Sequence, residues 1–177
     1  VGIPDYGNGE TNGYVRVFEF IDNDWDQMGQ TLQGTNLDDF GNDVSLSSDG
    51  QTLAVGAPLY DGNFNDSGSV HIYRLGRDGQ WFEPGAMLIG KVADEKFGRS
   101  LTLSGDASIL VASGVGLLRF FKADGDEWIE VGEEATVSSN LNNAAISRDG
   151  STAMGGASVF DISCQQATTP DTATASP

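Results

Sequence analysis

The sequence predicts an all-β fold: β-propeller blades of four antiparallel strands, forming an incomplete ring. Three observations lead there. Trp25, Trp81 and Trp128 are 56 and 47 residues apart, and similar segments precede each of them. Glycine makes up 24 of 177 residues, about twice the average usage, and with Asp, Asn and Ser it supplies many tight turns. No stretch has a convincing helical period.

The elements follow in chain order. Residues 1–12 read as an edge or linker. Gly13-Tyr14-Val15-Arg16-Val17-Phe18-Glu19 is Gly-led and alternates, as a half-exposed strand does. The turn Asp22-Asn23-Asp24 leads to Trp25 and the next strand. The full unit then begins at Phe40-Gly41, with strand A over Val44-Ser45-Leu46. Asp49-Gly50 makes the hairpin turn. Strand B is Thr52-Leu53-Ala54-Val55-Gly56-Ala57-Pro58, small and continuously apolar, as in strands buried on both faces. Strand C is Gly68-Ser69-Val70-His71-Ile72-Tyr73-Arg74, and strand D starts at Trp81. The unit returns from Phe97-Gly98 through Ile109-Leu110-Val111-Ala112-Ser113-Gly114, Gly116–Lys122 and Trp128. A worn copy runs over Asn143–Gly150 and Thr152–Ala157. Propeller-type repeats thus span 13–162, divided 13–32 (partial), 33–88, 89–131 and 132–162 (partial). The Thr/Ser/Pro-rich stretch 163–177 reads as a linker that cannot bury enough surface to offset its ordering entropy.

About three and a half blades cannot close a ring, which needs at least four. The chain is therefore expected to be a fragment of a larger propeller, or one part of a ring closed by another chain. Open edges at both ends would invite aggregation unless covered.

Phe40-Gly41, Phe97-Gly98 and Gly56-Ala57-Pro58 resemble the FG-GAP repeat family, the blades of integrin α-subunit propellers and related surface proteins. The resemblance covers roughly 13–162. It fades in the last copy, where Phe-Gly is lost and Gly156-Ala157-Ser158 replaces Gly-Ala-Pro. It implies a seven-bladed propeller, an extracellular or cell-surface setting, and adhesion or ligand binding. The family often holds calcium in the A–B loop through Asp-x-Asp-x-Asp-Gly. Here each loop supplies one carboxylate, Asp49 or Asp149, whereas calcium takes six to eight oxygens. No metal site or cofactor is expected, beyond weak calcium association. Asp22, Asp24 and Asp26 have the right spacing, but they straddle Trp25 and lack the loop glycine, so they read as a turn rather than a weak cation site.

With 26 acidic and 9 basic residues the net charge is −17, which argues against nucleic acid and anionic membrane surfaces. No apolar run approaches bilayer-spanning length, so membrane insertion of this segment is not expected. A hydrophobic fraction of 38 % fits a folded chain. Cys164 is the sole cysteine and has no internal partner; it is an unpaired thiol or bridges to something outside these residues. Asn65-Asp66-Ser67 fits a glycosylation sequon, a weak signal.

In the family, the D–A and B–C connections share the face that usually binds ligand. The long B–C connection here offers Tyr60, Asp61, Asn63, Phe64, Asn65 and Asp66, a mixture suited to carbohydrate stacking or a cation-bridged protein contact. The D–A connections add Asp38 and Asp39, then Asp94, Glu95 and Lys96. The bland reading is a solvated loop whose aromatics pack on a neighbouring blade. The tryptophans read as blade-packing residues rather than sugar platforms. No carboxylate spacing singles out a general acid and base, and His71 has no Ser or Cys motif beside it, so no catalytic residue is expected. The expectation is a non-catalytic extracellular binding or adhesion module. Its ligand is a carbohydrate or protein, and its further partners are the remaining blades of the same protein or a partner chain. The alternative is an accessory or catalytic propeller portion of a secreted hydrolase.

Overall fold

Short strands separated by turn residues pair with their sequence neighbours, and the computed structural model shows four antiparallel sheets. It describes residues 2–3, 12–35, 38–137, 143–155 and 158–161, with no helix among them. The first sheet holds β1 (Gly2–Ile3), β2 (Tyr14–Ile21) and β3 (Asp24–Gln33). The second holds β4 (Val44–Leu46), β5 (Thr52–Ala57), β6 (Ser69–Leu75), β7 (Trp81–Phe82) and β8 (Leu88–Ile89). The third repeats that plan with β9 (Ser100–Leu103), β10 (Ile109–Gly114), β11 (Leu117–Asp124), β12 (Glu127–Glu130) and β13 (Ala135–Thr136). The fourth holds β14 (Ala144–Ile146), β15 (Thr152–Gly155) and β16 (Ser158–Asp161). The architecture is β-propeller-like.

Two boundaries differ from the sequence reading. Gly2–Ile3, expected to be edge or linker, pairs with Tyr14–Val15 as a strand B. The sequence Val1-Gly2-Ile3-Pro4 is a further copy of Val55-Gly56-Ala57-Pro58. Ala135–Thr136 pairs with β11, so the third sheet continues past residue 131. Strand D is broken in both full sheets: β7 and β8 each pair with β6, with Pro84 between them. Proline lacks the ladder donor, so pairing lapses there. Cys164, the 163–177 linker and Gly156-Ala157 lie outside the described residues.

Neighbouring sheets stack face to face. Val15, Val17 and Leu32 of the first meet Leu53, Val55, Ala57 and Trp81 of the second. Ala54, Val70 and Ile72 of the second meet Leu101, Leu110, Ala112 and Phe121 of the third. Ile109, Val111, Leu118 and Phe120 of the third meet Ala153 of the fourth, with Phe160 on Phe120. Adjacent residues of β5 and β10 therefore serve opposite interfaces, and neither strand needs a polar face.

The sheets touch most closely at a glycine. Gly56 lies against the Gly98 carbonyl of the next sheet with no room for a Cβ, and Gly2 repeats this against the Gly41 carbonyl. Side chains then tie each strand A to the next. Leu101 N donates to Asp43 Oδ2 at 2.9 Å, and Ala144 N donates to Ser100 Oγ at 3.0 Å.

The A–B turns share one design. Ser47 Oγ donates to Asp49 Oδ1 at 2.6 Å and accepts from Thr52 N at 3.0 Å. Ser104 with Asp106, and Ser147 with Asp149, repeat the pattern. The residue after the Asp is left-handed, with φ of 71° at Gly50 and 73° at Gly150, but an alanine, Ala107, takes φ 55° in the third sheet. A left-handed non-glycine residue costs about 1–2 kcal/mol, partly offset by its lower unfolded-chain entropy. Ala107→Gly should therefore raise stability by roughly 0.5–1 kcal/mol, read as a higher urea midpoint. A lower midpoint would contradict this account of the turn.

Candidate functional site

The long B–C connection and the following D–A connection meet at one end of the fold. Asn65 O accepts from Asp94 N at 2.9 Å, and Asp66 O accepts from Lys96 N at 3.0 Å. Asp66 Oδ2 lies 3.7 Å from Lys96 Nζ. Within the loop, Asp61 Oδ1 accepts from Asp66 N at 2.9 Å, which leaves Asn63, Phe64 and Asn65 on the outside of the bend. Phe64 is exposed, whereas Tyr60 is half-buried against the core between the first and second sheets. The two loop aromatics are thus divided: one packs and one projects.

The two aspartates of the preceding D–A connection also divide. Asp38 is buried and accepts from Thr35 N and Phe40 N, each at 3.2 Å, so its carboxylate holds the turn before Phe40. Asp39, left-handed at φ 59°, lines a cavity of about 780 Å³ between the inner ends of the second, third and fourth sheets. Asn42, Asp43, Lys96, Arg99 and Asn143 share its wall. Arg99 is half-buried, and its guanidinium has no partner among the described residues. Sequence reasoning missed Arg99. It directly follows Phe97-Gly98, where the preceding copy has Asn42, and that difference between copies was the available signal.

Beside this cavity the third sheet carries a buried ion network. Glu95, the counterpart of Asp38, is 3 % exposed, and Arg119 is 5 % exposed. Arg119 donates to Glu130 through a fork, Nε to Oε1 at 3.1 Å and Nη2 to Oε2 at 2.9 Å. Its Nη1 lies 3.5 Å from Glu95 Oε1, and its guanidinium sits 4.4 Å from the Phe97 ring centre. Lys91 Nζ reaches Glu130 Oε1 at 2.9 Å. Burial alone would raise the Glu130 carboxyl, but hydrogen bonds from Arg119 and Lys91 outweigh it and hold the group below its usual range.

The second sheet replaces this network with Ser69, His71 and Glu83. Ser69 Oγ lies 3.2 Å from His71 Nε2, and Glu83 Oε1 lies 3.1 Å from Nδ1. The sequence reading finds no Ser or Cys motif near His71; in the structure the imidazole lies between Ser69 and Glu83. Residues i and i+2 share a strand face, and the acid comes from beyond the neighbouring β7. Ser69 is fully buried, however, and the His71 ring sits edge-on to Phe40 with centroids 5.4 Å apart. The arrangement packs inside the sheet, as Arg119 does in the third.

The tryptophans, expected to pack between blades, do so in two sheets of three. Trp81 is 3 % exposed and donates from Nε1 to Met28 O at 2.9 Å, and Trp128 is half-buried against the second sheet. Trp25 is 64 % exposed, because no sheet lies on that side of the first one among the described residues. Asp22 and Asn23 are the two left-handed residues of the β2–β3 hairpin turn, as read from the sequence. No group of three or more metal-ligating side chains occurs among the described residues. No helix long and apolar enough to cross a membrane occurs among the described residues.

Residues 33–73 match the family model of the FG-GAP repeat. The chain thus contains an FG-GAP repeat within an all-β, propeller-like stack. Among solved structures, a Bacteroides fragilis protein provisionally named a 6-phosphogluconolactonase is similar over 73 % of this chain and 35 % of its own, with a TM-score of 0.55 and 19 % identity. A functionally unknown protein from Desulfotomaculum acetoxidans is similar over 90 % of this chain and 65 % of its own, with a TM-score of 0.48 and 14 % identity. The chain spans about a third of the length of the first and 65 % of the second. At 19 % identity the first likeness concerns the fold alone. No curated protein matches the sequence.

Two outcomes follow from the geometry. Arg119→Met leaves buried Glu95 without its cation and Glu130 with Lys91 alone, and should cost about 3–5 kcal/mol in urea unfolding, with Glu95→Gln in the same chain restoring part of it. The turn carboxylates set the acid limit. The Ser147 hydroxyl and then the Ser151 amide hold Asp149 at about 2 against an ordinary 3.8. Asp49 and Asp106 are lowered likewise, first by Ser47 and Ser104. A depressed carboxyl adds stability above its unfolded value and loses it as pH falls through the folded one. The melting temperature should therefore drop between about pH 4 and pH 2, and less steeply in Ser104→Ala and Ser147→Ala.

Proposed function

We propose that this chain is a non-catalytic binding or adhesion module, a portion of a larger extracellular or cell-surface propeller of seven blades. It takes a carbohydrate or protein ligand on the face where the B–C and D–A connections meet. One observation carries the reading: the polar cavity lined by Asp39, Lys96 and Arg99 opens among those connections and brings both charge signs to one wall. Such a wall orients a polar ligand by paired hydrogen bonds, while exposed Phe64 on the neighbouring loop offers a stacking surface. The remaining blades, from the same protein or a partner chain, close the ring. Calcium associates weakly at most, because the turn carboxylates already accept several hydrogen bonds each.

Glycan arrays and surface-protein panels probed with the full chain test this. Saturable binding that falls at least tenfold in Asp39→Ala and Arg99→Glu, with the melting temperature held, supports the reading. Binding indifferent to both changes rejects the site. Turnover of ester or glycoside substrates that is lost in Arg99→Glu favours the secreted-hydrolase alternative.

A further inference from the structure

Two consecutive copies of one repeat build the cavity wall, and they carry opposite charge. Asp38–Asp43 holds three acids and no base, whereas its counterpart Glu95–Ser100 holds one acid and two bases. The fold does not ask for this inversion. Asp38 and Glu95 are both buried, and each accepts backbone amides. Asp43 Oδ2 accepts from Leu101 N at 2.9 Å, and Ser100 Oγ does the same for Ala144 N at 3.0 Å without a charge. The change falls on residues that line the cavity: Lys96 stands where the second sheet has Asp39, and Arg99 where it has Asn42. Basic residues are rare in this chain, 9 against 26 acids. Arg74, Lys91 and Arg119 are each held by carboxylates, and Lys96 lies 3.7 Å from Asp66. Arg99 is half-buried and has no ion pair among the described residues. Its backbone is fixed nonetheless. The Arg99 carbonyl accepts from Asn42 Nδ2 of the second sheet at 2.8 Å, and Arg99 N donates to Lys96 O at 3.2 Å. A guanidinium braced in this way can grip a carboxylate through two parallel hydrogen bonds, because its donors form a rigid planar fork.

We propose that the cavity binds one uronic acid residue of an acidic oligosaccharide, with Arg99 on its carboxylate. The inference rests on the reading above that this cavity is the ligand site, and it names the ligand's class. The rest of the wall selects among acids. Asn42, Ser45, Thr102 and Asn143 bring amides and hydroxyls, which pair with sugar hydroxyls. Leu59 beside them is exposed and offers an apolar surface to the C–H face of a sugar ring. Asp39 and Asp43 lie on the same wall and repel a ligand dense in negative charge, such as an acidic peptide run. A single carboxylate among many hydroxyls suits both parts of the wall. Lys96 adds a second positive charge, shared with Asp66 of the B–C connection. The volume of about 780 Å³ lies within the roughly 300–1,000 Å³ typical of small-ligand sites.

The test is calorimetric titration of the full chain, in buffer containing EDTA, with disaccharides that join one uronate (glucuronate, galacturonate or mannuronate) to one neutral sugar. Each is compared with the same disaccharide after reduction of its carboxyl to a primary alcohol. Saturable binding of at least one acid, at least tenfold tighter than its reduced form, supports the proposal. Arg99→Gln should weaken that binding at least tenfold with the melting temperature held, whereas Arg77→Gln, at an exposed turn, should leave it unchanged. Equal binding of the acid and its reduced form overturns the proposal but keeps the cavity as a ligand site. No binding of any acid overturns it as well, and the glycan and protein panels then judge the cavity separately. Equal losses in Arg99→Gln and Arg77→Gln overturn it as general charge attraction. Binding that requires added calcium overturns it, because a metal then holds the carboxylate. A glutamate-rich peptide that binds as tightly as the acids overturns the choice of a saccharide.

Discussion

The contact on which the stack depends involves no side chain. Gly56 seats the Gly98 carbonyl, and Gly13 and Gly68 seat the carbonyls of Phe40 and Phe97 from the following sheet. Two backbones at such range fix the spacing of the sheets at their inner ends. That spacing then dictates what fits farther out. Small residues such as Ala54, Ala57 and Ala112 pack in the same interfaces, together with Phe121, Trp81 and Trp128. A methyl group at Gly56 would push two carbonyl-bearing segments apart, and the whole interface would lose its packing with them.

Charge is arranged around the same interfaces. The net −17 lies mostly in turns and exposed edges, where carboxylates accept hydrogen bonds from the backbone. Cations are scarce, and several have inward duties. Arg119 is held by two carboxylates and lies against Phe97 and Phe121, in the place that His71 takes in the second sheet. The desolvation cost of such a buried cluster offsets much of its Coulomb gain. Its worth lies in fixing one arrangement: Glu95 also accepts from the Lys91 and Val92 amides, so one side chain ties the D–A connection to strand C.

Most of the architecture was legible because the repeat states it several times. Phe-Gly, Ser-x-Asp-Gly and Leu-Ala-Val-Gly each have a local cause, and local causes survive in sequence. Less legible were features set by a neighbour. Trp25 and Trp81 are equivalent in sequence, yet one is exposed and the other buried, because only Trp81 has a sheet to pack against. β1 is two residues long, too short to show a period, and only its likeness to Val55-Gly56-Ala57-Pro58 marks it. Ser69, His71 and Glu83 meet across strands, a contact no single segment displays. In the candidate site the loop residues were legible, but their division was not: Asp38 and Asp39 are adjacent in sequence and differ only in which way a left-handed residue turns the chain.

That division shows where such a fold can vary its surface. The position before each Phe-Gly is left-handed in both full copies, with φ of 59° at Asp39 and 52° at Lys96. The residue before it is buried in both, Asp38 in one and Glu95 in the other, and its carbonyl accepts from the amide that leaves strand B. The backbone is thereby fixed from both sides while the left-handed residue faces the cavity. Its side chain is an acid in one copy and a base in the next, although the core around it is repeated. The B–C connection varies in the same way, from the segment 58–67 to the single turn at Val115-Gly116. Because the sheets are spaced by backbone contacts, neither change disturbs the stack. The surface at the cavity rim can therefore be rewritten, repeat by repeat, without altering the interface that holds the sheets together.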